Sequence, residues 1–107
     1  MDQQNEGEMM DDRELLEMAA KAAFGDKSFI GDMTWNPLTD DGDALRLQVA
    51  LHFTVRCYMG TTCVQSTVPG GPSVYIEETN HADPYAATRR CIVRAAAELA
   101  RAGAQKG

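Results

Sequence analysis

The chain predicts a single α+β domain, a small β-meander framed by helices. One observation is length: 107 residues give room for one hydrophobic core and not two. Another is that stretches near opposite ends, 11–24 and 83–102, combine helix start and stop signals with helical apolar spacing. Between them lie segments rich in Val, Thr, Tyr and Cys, separated by glycine-bearing turns, which is the pattern of short antiparallel strands. At 44% hydrophobic and 24% charged, the chain has the apolar content that a folded domain needs and a disordered one lacks.

Residues 1–10 (MDQQNEGEMM) are polar and aperiodic and read as a disordered leader, with Met10 as an alternative start. Asp11 and Glu14 then stand at capping-box spacing. Leu15, Met18, Ala19, Ala22 and Ala23 form one stripe, and Gly25 stops the helix. Residues 25–36 carry Phe29, Ile30 and Trp35 among glycines and aspartates and read as an ordered connection. Trp35 is expected as a core plug; the competing reading is an exposed aromatic platform ahead of Asn36-Pro37.

Residues 39–57 set two rules against each other. Leu45, Leu47, Val49, Leu51, Phe53, Val55 and Cys57 alternate with more polar residues, as in a strand. Leu38, Leu45, Val49 and His52 also fall at helical spacing, and Thr39 followed by Asp40, Asp41 and Asp43 is helix-start chemistry. Periodicity leaves the choice open. Farther on, 54–59 and 62–68 flank Met59-Gly60-Thr61 as a hairpin. Pro69-Gly70-Gly71-Pro72 makes a second turn, and 73–79 (SVYIEET) is the third strand. In the last element Asp83 is the expected N-cap, Pro84 the first helical residue and Gly103 the stop, leaving 103–107 as a flexible tail beyond a domain of residues 11–102. Tyr85, Ile92, Ala96 and Leu99 form its apolar stripe, and Arg90, Arg94, Glu98 and Arg101 lie opposite, with Arg90 and Arg94 expected to be largely exposed.

Two segments, TWNPLTDDGDALRL at Thr34 to Leu47 and DPYAATRRCIVRAAAELAR at Asp83 to Arg101, resemble small phage and prophage proteins that carry the phage ABA sandwich domain. The resemblance covers roughly residues 11–102. It implies an α/β/α layered domain and decides for a helix at Thr39 to Leu51. With the elements read above, the expected fold is an α/β/α-type sandwich of two N-terminal helices, a three-stranded antiparallel meander and a long C-terminal helix. That family is one of unassigned molecular function, so the resemblance carries no catalytic residue with it.

Charge divides the chain. Through Asp43 there are 12 carboxylates against three basic residues, and from Ala44 onward seven basic against four acidic, for a net charge of -6. An acidic whole argues against generic polyanion binding. The run Asp40, Asp41, Asp43 lacks the alternating oxygen ligands and distal carboxylate of a calcium loop. Cys57, Cys63, Cys91, His52 and His81 contain no Cys-x2-Cys pair for zinc, so the thiols read as structural, buried or half-buried. Nothing beside those cysteines marks an activating base, and Gly60, Gly70 and Gly71 sit in hairpin turns rather than before a helix. No catalytic residue, metal or cofactor is therefore assigned, and an enzyme is disfavoured.

The remaining candidates are Arg89, Arg90, Arg94 and Arg101, whose guanidinium forks suit a partner's carboxylates or phosphates; the plainer reading is a solvated helix face. Trp35, Pro37, Tyr85 and Leu99 are the expected structural anchors. The order helix, three strands, helix is also similar to double-stranded-RNA-binding domains, but those present a basic helix start and this one begins Asp83-Pro84-Tyr85. The expectation is an accessory protein that binds another protein, of phage or host, with nucleic-acid binding through the final helix as the alternative. No apolar run is long enough to span a bilayer, the acidic start is unlike a secretory signal, and three cysteines suit a reducing compartment, so a cytoplasmic location is expected.

Overall fold

The computed structural model describes residues 11–25, 35–66 and 73–106. The leader at 1–10, the Phe29 to Met33 loop and the Pro69 to Pro72 turn lie outside the described residues. The rest forms three helices and one three-stranded antiparallel sheet: α1 (Asp12–Phe24), α2 (Asp41–Ala50), β1 (Phe53–Tyr58), β2 (Thr61–Ser66), β3 (Tyr75–Thr79) and α3 (Pro84–Lys106). The strands lie in sequence order with β2 central. No helix among the described residues is long and apolar enough to cross a membrane.

Local chemistry places each element. The Asp11 carboxylate accepts from the Glu14 amide at 2.9 Å while Glu14 accepts from the Asp11 amide at 3.2 Å, closing the capping box of α1. Before α2, the Asn36 side chain accepts from the Leu38 amide at 3.0 Å, and the Asn36 carbonyl from the Thr39 and Asp40 amides. This turn uses Thr39, so the N-cap falls one residue later, on Asp40, whose carboxylate accepts from the Asp43 amide at 2.8 Å. Asp43, almost fully buried, accepts in turn from the Asn36 amide at 2.8 Å and from Arg46 at 2.9 Å, stapling the turn to the helix. The aspartate run is thus helix-start chemistry.

The β1–β2 hairpin closes between Tyr58 and Thr61, with Gly60 at φ 93° in the two-residue loop, a conformation only glycine takes without strain. Asp83 caps α3 through the Tyr85 and Ala86 amides, both at 3.1 Å. Its far end departs from expectation. The helix runs through Gly103 to Lys106, because one interior glycine costs only about 1 kcal/mol and Ala102, Ala104, Gln105 and Lys106 around it all favour helix.

Helix α3 is the centre of the domain. Cys91, Ile92, Val93, Ala95, Ala96 and Ala97 are all buried, on nearly every side of the helix, and the alanines let its neighbours approach closely. The sheet covers one side, α1 packs along another, and α2 fits between α3 and β1. Of the expected layers, the described residues therefore contain the sheet, α3 on one of its faces, and α1 and α2 packed on α3. The other sheet face presents Arg56, Tyr58, Tyr75 and Glu77 to solvent. A buried polar chain pins the hairpin to α3: Asn80 donates to the Tyr58 carbonyl and to Thr62 Oγ1, which meets Thr88 Oγ1 at 3.1 Å.

The buried face of α2 is a correction. Helical spacing points to Leu38, Leu45, Val49 and His52, yet Ala44 and Leu47 are buried while Leu45, Val49 and His52 are exposed. Ala44 and Leu47 stand three apart, and the small alanine lets α2 sit against α3.

Candidate functional site

The four arginines do not make one free surface. The Arg89 Nε donates to the Leu38 carbonyl at 2.8 Å and its Nη1 to Asp41 at 2.6 Å, tying α3 to the start of α2. Arg90 reaches Asp12 of α1 at 3.0 Å, Arg94 pairs with Glu78 of β3, and Arg101 with Glu98 one turn back at 3.3 Å. The expected open face of Arg90 and Arg94 is corrected here: the Arg94 side chain keeps 30% of its exposure and Arg90 41%, because both stand at seams where α1 and the sheet meet α3. Arg56, on the outer sheet face, makes no ion pair among the described residues.

Of the anchors, Pro37 is fully buried, and Leu99 packs partly buried on the core. Trp35 is also partly buried, its ring edge-to-face with Phe24 at 5.5 Å. Tyr85 is not an anchor: it is 73% exposed, since the first turn of α3 stands beyond the cover of α1 and the sheet.

Tyr85 instead borders a groove of about 420 Å³ between α2, β1 and the start of α3. Asp41, Ala44, Leu45 and Gln48 line it from α2, Cys57 from β1, and Pro84, Tyr85, Thr88, Arg89 and Ile92 from α3. Leu45 is 57% exposed, and one turn on, Val49 is 65% exposed and extends the apolar surface along α2. Asp41 lines the groove and the exposed Asp83 directly precedes the lining Pro84; among the described lining residues the one cation, Arg89, is already held by Asp41.

Among the described residues, the strand beside the groove has an open edge. Residues flanking a two-residue hairpin loop form a hydrogen-bonded pair, and such pairs recur at every second residue. With Tyr58 opposite Thr61, the backbone groups of Tyr58, Arg56 and Thr54 face β2, and those of Phe53, Val55 and Cys57 face outward. Phe53 is partly satisfied, because Gln48 Nε2 donates to its carbonyl at 3.4 Å. Among the described residues Val55 and Cys57 have no such partner.

The cysteines divide by exposure. Cys91 is fully buried, and burial, then the nearby Glu78, pushes its thiol up to about 12. Cys63 is buried on the outer sheet face, its sulfur 3.2 Å from the Tyr75 hydroxyl, which also donates to Glu77 at 2.7 Å. Those bonds to Cys63 and Glu77 hold the Tyr75 proton and raise its pKa above the ordinary phenol value. Cys57, expected buried or half-buried, is the exposed thiol: its side chain points toward α3, 3.9 Å from Thr88 Oγ1, where the groove opens. The described residues hold no group of three or more His, Cys, Asp or Glu able to take a metal.

The exposed apolar residues Leu45, Val49 and Tyr85 were the part of this site that sequence reasoning missed; Leu45 and Val49 stand one turn apart on α2, a spacing that marks a shared face without saying whether it is buried. Comparison with family models, with curated proteins and with solved structures finds no match.

Proposed function

We propose that this protein is a protein-binding module, an accessory protein of phage or prophage type, that seats its partner in the groove between α2, β1 and α3. The observation that carries this reading is the exposure of Leu45 and Tyr85 in one apolar groove, with exposed Val49 one turn farther along α2. Exposed apolar side chains gathered at one concave place mark interaction surfaces, whereas scattered ones need no explanation. The phage setting rests on the resemblance of the two sequence segments. Three unbridged thiols suit a reducing compartment, and the proposed place of action is the cytoplasm.

Nucleic-acid binding through α3 has less support. Arg89, Arg90, Arg94 and Arg101 each pair with a carboxylate, and phosphate binding would require breaking those pairs. The deciding experiment is affinity capture with the immobilised protein, with and without nuclease, comparing wild type with Leu45→Asp. A partner retained after nuclease and lost with Leu45→Asp supports the groove. Binding abolished by nuclease and indifferent to Leu45→Asp overturns it in favour of nucleic acid.

A further inference from the structure

We infer that the groove takes its partner as an extended segment, which adds antiparallel to the free edge of β1 as a fourth strand and drops an apolar side chain between Leu45 and Tyr85. This rests on the groove reading above and adds to it the conformation and chemistry of the bound segment. The open edge selects the backbone: the N–H and C=O of Val55 and Cys57 point away from β2 with no partner among the described residues, and an added strand satisfies all four. The groove selects the side chain, because Cys57 both carries edge hydrogen-bonding groups and lines the groove. A residue paired with Cys57 across a new ladder projects its side chain to the same face, toward α3. The exposed Asp83, directly before the groove-lining Pro84, favours a basic residue flanking that apolar one, while the charge of Asp41 is already met by Arg89.

A second copy of the chain fits this edge less well. A two-fold β1–β1 pair centred on Val55 sets Cys57 of each copy opposite Phe53 of the other. The Phe53 carbonyl already accepts from Gln48, and α2 stands beside that end of the strand. A slender extended segment reaches Val55 and Cys57 while leaving the Phe53 end, where Gln48 of α2 already bonds, untouched.

The test uses the full chain, 15N-labelled, and the peptide acetyl-Lys-Thr-Val-Thr-Val-Thr-Lys-amide. In an antiparallel ladder its valines share the groove face, so their N–H groups point at β1 and those of the threonines point away. Binding is expected to slow hydrogen exchange of the Val55 and Cys57 amides at least about tenfold and to slow alkylation of Cys57. N-methylation of both valines should weaken binding at least about tenfold, the effect of losing two backbone hydrogen bonds, while N-methylation of the threonines should change it less than about twofold. Equal binding of the two methylated peptides, or Val55 and Cys57 amides unprotected at saturation, overturns strand addition. Failure of the peptide to bind at millimolar concentration overturns it as well. In each case the groove reading stands or falls separately, on whether captured partner is lost with Leu45→Asp.

Discussion

Arg94 of α3 pairs with Glu78 of β3 across the seam between helix and sheet, with both side chains less than a third exposed. The pair lies near Cys91, whose sulfur donates to the Ile76 carbonyl of the same strand at 3.3 Å. Removing one partner of a half-buried pair costs more than removing an exposed one, because the remaining charge keeps its desolvation penalty. Arg94→Ala is expected to lower unfolding stability by about 1–3 kcal/mol. Arg90→Ala, whose partner Asp12 is two-thirds exposed, should stay within about 0.5 kcal/mol. Urea titrations of the two variants check the contrast, and equal losses would contradict it.

The pairs explain what the sequence could and could not say. Capping chemistry is local, so Asp11 with Glu14, and Asp83 before Pro84, announced two helices from neighbouring residues alone. The hairpin was equally legible from Met59-Gly60. The fate of Arg90 was not, since its partner Asp12 lies 78 residues away. The inner face of α2 was hidden for another reason: Ala44 with Leu47 and Leu45 with Val49 both satisfy helical spacing, and only the closeness of α3 selects the pair containing alanine. The groove escaped for both reasons, being assembled from three elements distant in sequence and lined partly by residues that read as core.

Buried Cys91 gives the fold an alkaline limit. Its thiol, pushed up to about 12, stays protonated in the folded chain, whereas in the unfolded chain it ionises near its ordinary value of about 8.5. Between those values the folded state binds more protons, so stability falls as pH rises from about 9 toward 12. Tyr75, raised in the same direction, adds to the slope above about 10, where an unfolded tyrosine ionises. Thermal melts at intervals between pH 8 and 11 should show a decline that is shallower in Cys91→Ala, whatever the absolute stability of that variant. A slope unchanged by the substitution would mean that Cys91 titrates alike in both states.

His52 holds the left-handed backbone conformation, φ 59°, directly after α2, where its amide donates to the Val49 carbonyl at 3.2 Å. Helices commonly end this way, and glycine is the usual residue because a Cβ is strained there. His52→Gly is therefore expected to raise stability by about 0.5–1 kcal/mol, even though glycine elsewhere costs backbone entropy. A lowered melting temperature in that variant would show that the imidazole contributes more than its backbone strain costs.

Leu45 and Leu47 stand two residues apart on α2, yet one is 57% exposed and the other 3%. Leu47 packs with Ala44, Phe53 and Ile92 in the core cluster, so Leu47→Ala should cost about 2–5 kcal/mol, the transfer term plus the cavity left behind. Leu45→Asp removes no core contact and adds a charge at a solvated position, so its melting curve should lie within about 0.5 kcal/mol of wild type. The two variants therefore separate stability from recognition. Leu45→Asp is expected to remain folded and lose the captured partner, and Leu47→Ala to be destabilised while its folded fraction still binds. If Leu45→Asp unfolds as readily as Leu47→Ala, Leu45 belongs to the core and the groove is not a contact surface.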